Sequence, residues 1–170
     1  MTWVPPAALA SSLGDRFEHR AGRTFGPLVQ AVSGGVAHHS FHVFAVYPWQ
    51  GLLRAGMEGP PLEILDRCRI RWGRVEKVIG DLVTVRSRPL SFNGSRLVLG
   101  DEQLEQARRG FDGMVFTVDL EPGDMVSLHW DWVSDRLSPT TCSWLRYCTQ
   151  RNPDAVNALA QPGPAMVCGT

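Results

Sequence analysis

Two residues far apart in this sequence carry side chains suited to binding a soft metal ion or attacking a reactive carbon. Cys68 is a lone thiol, since none of the 4 cysteines lies in a Cys-x-x-Cys pair or has the spacing of a zinc site. His129 is a lone imidazole within a strand-like stretch. Thiolate and imidazole are both transition-metal ligands, so the function depends on whether the fold brings the two side chains together.

The neighbours of Cys68 bear on its reactivity. Arg67, Arg69 and Arg71 bracket the thiol, and positive charge nearby favours the thiolate. If the segment is a strand, however, the arginines lie on the face opposite Cys68, which weakens this effect. The sequence alone also allows the cysteine to be a small buried hydrophobic residue.

The stretch Met125–Val133 alternates cleanly and predicts one closing strand. One face is apolar and fills a core, and the other is polar. The apolar set is Val126, Leu128, Trp130 and Trp132, and the other set is Met125, Ser127, His129 and Asp131. Asp131 or Ser127 could orient the imidazole and make it more basic, as a metal ligand or a general base requires. A solvated surface histidine is the alternative.

The β-branched and aromatic content of His38–Tyr47 predicts a strand that Pro48 ends. His38 and His42 then share a face about 13 Å apart, at ~3.3 Å per residue, which is too far to bind one ion. On a helix the same pair would be spaced for chelation. We interpret these histidines as polar partners in a seam between a helical part and a barrel, with a substrate-facing role as the alternative.

The remaining patterns predict an α+β protein: a small OB-like β-barrel flanked by an N-terminal helical segment and a C-terminal helix. The clearest element is a hairpin that turns at Gly80-Asp81. Helices are predicted over Ala7–Arg20, Glu102–Arg109 and Pro139 to about Gln150, with a further short helix starting at Pro153. The predicted units are 1–59, a helical segment with one strand; 60–137, the barrel; and 138–170, the C-terminal helix and tail.

Composition excludes several function classes. Lys plus Arg and Asp plus Glu both number 17, so the formal net charge is zero and no overall field favours nucleic acid or an acidic membrane. The N-terminus lacks the basic and apolar regions of a signal peptide, and no apolar run approaches the roughly 18 residues that a membrane span needs. These features predict a cytoplasmic protein with reduced thiols.

Two motifs resemble those of the HypC/HupF-type [NiFe]-hydrogenase maturation chaperones, which are small OB-like barrels. The family's opening, Cys-x-x-x-x-Gly-x-Val, is matched from Cys68 to Val75, and Gly80-Asp81 matches its hairpin. Its closing strand, Gly-Asp-x-Val-x-x-His, is matched from Gly123 to His129. The whole chain also resembles an actinobacterial family of unknown function, DUF6390. The chaperone resemblance departs in three places. The family's cysteine becomes the N-terminus and has a free amine beside the thiol, whereas Cys68 is internal. Trp72 stands where the family has a proline, and the stretch from Phe92 to Asp112 is longer than the family's loop.

The resemblance implies a non-enzymatic function. Cys68 and His129 would hold an iron fragment bearing cyanide and carbonyl ligands, and the partner would be a hydrogenase large subunit or a scaffold protein. The alternative is a small enzyme that reuses the barrel for acid–base chemistry on a small polar substrate. Its candidate catalytic residues are His38, His42, Tyr47, His129 and Asp131. A homodimer formed through an exposed barrel edge is also compatible with the sequence.

Overall fold

A computed structural model describes residues 5, 7–8, 11–12, 15, 39, 43–44, 49–57, 59–117 and 119–159 of the chain. It is a mixed α+β protein, as the sequence predicts. Its largest element is a five-stranded sheet, which is accompanied by two small two-stranded sheets and by helices. The described positions between residues 7 and 15 are helical, in agreement with the predicted N-terminal helix.

Two short helices precede the sheet. Helix α1 spans Trp49–Arg54 and helix α2 spans Pro60–Cys68. Prolines at the first two positions of α2 fit its start, because the first turn leaves its N–H groups without intrahelical partners. The helix ends where Arg69 turns extended, with its N–H still donating to the carbonyl of Leu65 at 3.2 Å. Cys68 is therefore the last helical residue.

The strands follow in chain order. They are β1 (Arg71–Ile79), β2 (Leu82–Ser87), β3 (Leu90–Phe92), β4 (Leu97–Leu99), β5 (Gln103–Arg108), β6 (Gly110–Phe111), β7 (Met114–Val115), β8 (Met125–His129) and β9 (Trp132–Arg136). Helix α3, Pro139–Leu159, closes the described part of the chain. The main sheet has the order β1-β2-β5-β9-β8, and β1 also pairs with β8. The pairing thus runs in a ring, in which β5 meets β9 through the single parallel bridge between Arg108 and Trp132.

Two hydrophobic cores hold this arrangement. The first lies within the main sheet and consists of Val75, Val83, Val85, Ala107, Leu120, Val126, Leu128 and Val133. The second joins the helical part to the β3–β4 hairpin and consists of Val43, Phe44, Leu53, Leu65, Leu90 and Leu97. Because Leu65 belongs to the second core, packing fixes α2, and with it Cys68, against the β3–β4 hairpin. The boundaries predicted between the three units, after residues 59 and 137, remain predictions.

Several predicted elements are right and others are wrong. The hairpin that turns at Gly80-Asp81 is confirmed by β1 and β2. The helix predicted over Glu102–Arg109 is wrong, because Gln103–Arg108 is strand β5. The single strand predicted over Met125–Val133 is also wrong, since the chain turns at Trp130 and Asp131 and comes back as β9. Trp130, expected in the core, is exposed at this turn with φ 52°.

The strand predicted over His38–Tyr47 is wrong at its three described positions. His39 is α-helical, and Val43 and Phe44 lie in a π-helical turn. Both apolar side chains are buried in the second core, so their burial outweighs the β propensity of the segment. The C-terminal prediction is corrected as well: α3 runs on through Pro153 as one helix. Asn157, which is buried beyond that proline, bonds both the N–H and the C=O of Leu97.

Gly73, the glycine of the opening motif, has a packing role. A Cβ at this position would lie 2.9 Å from the carbonyl oxygen of Arg86 and would overlap the side chain of Val85. We expect Gly73→Ala to lower the free energy of unfolding by about 3 kcal/mol, because the neighbouring strand must move. Urea denaturation measures the loss. Gly100→Ala, where the nearest atom is at 3.4 Å, is the control and should change stability little; equal losses would contradict this role.

Candidate metal centre

Cys68 is presented at the C-terminal end of α2 and is half-buried. Cys68 is therefore helical, and the strand considered for this segment begins only at Arg71. Burial raises the pKa of the Cys68 thiol, which opposes the thiolate that nearby positive charge would favour. The neighbouring guanidiniums face carboxylates: Arg69 pairs with Asp66 at 2.8 Å and Arg71 pairs with Glu105 at 2.9 Å. Without a bound cation, the thiol form is thus favoured.

His129 is the last residue of β8 and is also half-buried. Its pKa is lowered, first by burial and then by the nearby His39 and Arg71, while a hydrogen bond with the backbone of Cys68 acts in the opposite direction. The ring is therefore neutral at pH 7, which is the form that binds a metal. Within the described part of the chain, Nε2 of His129 is buried and has no hydrogen-bond partner. A buried polar atom of this kind needs an explanation, and an ion is one.

His39 is the residue that the sequence reasoning missed. Its Nε2 lies 3.7 Å from Sγ of Cys68 and 2.9 Å from the carbonyl oxygen of the same residue. Its ring stands edge-on to that of His129, with the centroids 5.1 Å apart. Depending on the tautomer, Nε2 either donates to the carbonyl or offers a lone pair to an ion. The only sequence signal was the cluster of histidines around it, which had been assigned to a strand.

The three side chains form a group that could hold a metal ion. One ligand atom each from His39, Cys68 and His129 can be chosen so that all three lie within 4.8 Å of one another. A tetrahedral ion with bonds of about 2.0–2.3 Å keeps its ligand atoms roughly 3.3–3.8 Å apart. The separation of Cys68 Sγ and His39 Nε2, 3.7 Å, is already in this range, and the donor of His129 lies within 4.8 Å of both. The sequence-predicted pair thus does meet, with a second imidazole beside it.

Hydrogen bonds of Arg71 connect helix α2, which ends in Cys68, to the turn that follows His129. The guanidinium is buried, with 3% of the residue exposed. It donates to the carbonyl of Asp66 in α2 at 3.3 Å and to the carbonyl of Trp130 at 2.7 Å. The N–H of Trp130 in turn donates to the carbonyl of Arg67 at 2.8 Å. The residue that follows His129 is therefore bonded to the helix that ends in Cys68.

Asp131, which was considered as a partner that could orient His129, pairs with an arginine instead. Asp131 forms an ion pair with Arg67, which also pairs with Glu63. Ser127, the other candidate, is buried and donates to the carbonyl of Asp135 at 3.4 Å. The described contacts of these two side chains thus go to Arg67 and to the backbone of Asp135, and none of them is with the imidazole of His129.

The remaining candidates of the acid–base alternative, His38, His42 and Tyr47, lie outside the described residues. Cys142 and Cys148 are free and buried in α3, and burial raises the pKa of Cys148. They behave as small apolar residues of that helix.

Fold and site together define a mixed α+β protein with a candidate centre of two imidazoles and one thiol. The chain belongs to the family of unknown function DUF6390, whose model matches residues 1–162. Comparison with curated proteins returned no match, and neither did comparison with solved structures. None of the described helices is long and apolar enough to cross a membrane.

Proposed function

We propose that this protein is a metal carrier of the maturation-chaperone type. In this proposal Cys68, His129 and His39 hold an iron fragment that bears cyanide and carbonyl ligands, and the protein delivers it to a hydrogenase large subunit or a scaffold partner. The observation that carries the proposal is the convergence of three donor atoms within 4.8 Å. The fragment is cargo and not a resident cofactor.

The donor set suits such cargo. A thiolate is a soft ligand and imidazole is a borderline one, a combination that favours iron and other late transition metals over magnesium or calcium. Nε2 of His129 is buried and has no partner among the described residues, so an ion there would satisfy its lone pair. His39 is exposed, which leaves one side of the group open to solvent. An open side is what a protein that releases its ion needs.

The order of the strands also supports the proposal of a carrier of the chaperone type. The ring of pairings through β1, β2, β5, β9 and β8 is what an OB-like barrel requires. In the chaperones that the motifs resemble, a free amine lies beside the cysteine sulfur. Cys68 lacks that amine, but His39 supplies a nitrogen 3.7 Å from its sulfur. We infer that a side chain from the N-terminal part takes over the position of the amine.

Anaerobic purification from a host that makes active [NiFe]-hydrogenase tests the proposal. We expect infrared absorption from metal-bound cyanide and carbonyl, together with about one iron per chain. Both signals should be absent from Cys68→Ala prepared in the same way. A wild-type protein that carries neither iron nor these bands in such a host would contradict the carrier function, whatever ion it binds in vitro.

The pKa shifts predict how binding of a divalent ion depends on pH. At pH 7 the Cys68 thiol is protonated, because burial raises its pKa, whereas His129 is neutral, because burial lowers its pKa. Binding therefore displaces about one proton, and affinity should fall roughly tenfold for each pH unit of acidification. Calorimetry in buffers of different ionisation enthalpy counts the protons. Affinity that is constant between about pH 6 and 8 would rule out a thiolate ligand.

A further inference from the structure

A cavity lies beside β1 and β2, where α3 approaches the sheet. It has a volume of about 250 Å³ and shares no lining residue with the candidate metal centre. Its lining is mostly charged and comprises Trp72, Gly73, Arg74, Glu76, Arg86, Ser87, Arg88, Glu102, Met125 and Arg146. Four guanidiniums thus face two carboxylates, in a chain whose formal net charge is zero. The lining of this cavity therefore carries more positive than negative side chains.

Two of the four arginines are already engaged. Arg86 donates to Glu76 at 2.7 Å, and the pKa of Arg86 is raised first by this hydrogen bond, with a smaller contribution from Glu102. Arg88 donates through Nε to the carbonyl of Gly100 at 2.9 Å. These contacts hold two guanidiniums at the wall of the cavity, and one of them pairs with the carboxylate of Glu76.

The other two arginines have no counterion among the described residues. Neither Arg74 nor Arg146 forms an ion pair with a residue that the structure describes. Arg146 lies over the ring of Trp72, with Cζ 5.7 Å from the ring centroid. Stacking restrains the guanidinium while leaving its N–H groups able to donate. The charged side chains of the cavity sum to a net charge of +2, from four arginines and two glutamates.

We propose that this cavity binds a phosphate group, either as the free ion or as a phosphomonoester. Its size admits a group of that kind but not a long segment of chain, since each water occupies about 30 Å³ of liquid. A phosphate carries a charge of about −1.5 to −2 at pH 7, which matches the excess charge of the cavity. The guanidinium fork fits phosphate oxygens in a bidentate way, so Arg74 and Arg146 are the expected donors.

Calorimetric titration of the full chain at low ionic strength tests the proposal, with inorganic phosphate and O-phosphoserine as separate probes. We expect one site with a dissociation constant on the order of a millimolar. Arg74→Gln combined with Arg146→Gln should weaken binding at least tenfold, because two charge-assisted donors are lost. Both side chains are exposed, so the variant should stay folded, which a thermal melt checks. Arg108→Gln removes an exposed arginine outside the cavity and should leave binding unchanged.

The possible results identify the ligand or exclude the site. Tighter binding of O-phosphoserine than of phosphate assigns a phosphomonoester, and the reverse assigns the free ion. Succinate that binds as tightly as either would overturn phosphate as the ligand class. Absence of binding, or binding that survives the double substitution, would overturn the site. None of these results depends on the metal centre.

Discussion

Replacing Cys68 by alanine is expected to lower the affinity for Co²⁺ or Zn²⁺ at least about 100-fold. The substitution removes the one sulfur among three donors that lie within 4.8 Å. Loss of a partner that only orients a ligand already costs 10–100-fold in many metal sites, and loss of the ligand itself should cost no less. Competition with a chelator of known affinity measures the change. Cobalt also reports the loss of sulfur through its thiolate-to-metal absorption.

The chain offers a matched control. Cys142→Ala removes a buried thiol from α3 and should leave metal affinity unchanged. His39→Ala distinguishes a three-ligand centre from a two-ligand one: we expect weaker metal binding with sulfur still coordinated. Equal affinities for Cys68→Ala and Cys142→Ala would show that the thiol at the end of α2 is not a ligand.

Replacing Arg71 by methionine is expected to have the largest effect on stability. Its guanidinium is buried and bonds Glu105, the carbonyl of Asp66 and the carbonyl of Trp130. Removing it leaves a half-buried carboxylate and two carbonyls with fewer donors, which should cost about 3–5 kcal/mol. Metal affinity should fall roughly tenfold as well, because the turn after His129 loses its tie to α2.

Urea denaturation of three variants separates these causes. Arg108→Met, at an exposed arginine of β5, should change the free energy of unfolding by less than about 0.5 kcal/mol. Arg71→Met combined with Glu105→Gln should recover about 1 kcal/mol or more relative to Arg71→Met, because the unpaired charge is gone. If Arg71→Met were as stable as Arg108→Met, the buried guanidinium would not hold the site together.

The elements that can be predicted from the sequence are those whose conformation is decided by residues close together in the chain. The hairpin of β1 and β2 follows from two β-rich runs and the turn at Gly80-Asp81. Strand β5 could not be predicted in this way, because Gln103–Arg108 is rich in helix-forming residues. Its six pairings with β2 and the burial of Ala107 decide its conformation, and both depend on a distant part of the chain.

The candidate site was likewise predictable from the sequence only in part. Motif spacing pointed to Cys68 and His129, and their proximity confirms that the two segments meet. His39 was missed because the β propensity of its segment placed it in a strand, whereas it is helical. The turn at Trp130 and Asp131 carries no glycine or proline signal, so one continuous strand was predicted there. Contacts with Arg67 and Arg71 fix this turn, and they lie more than fifty residues away in the sequence.

X-ray absorption at the edge of the bound metal tests the central claim most directly. Protein loaded with one equivalent of Co²⁺ or Fe²⁺ under anaerobic conditions should show one sulfur and two imidazole nitrogens around the ion. The metal–sulfur distance should be about 2.3 Å and the metal–nitrogen distances about 2.0–2.1 Å. A coordination shell of oxygen and nitrogen without sulfur would contradict the account, because the ion would then be bound elsewhere than between His39, Cys68 and His129.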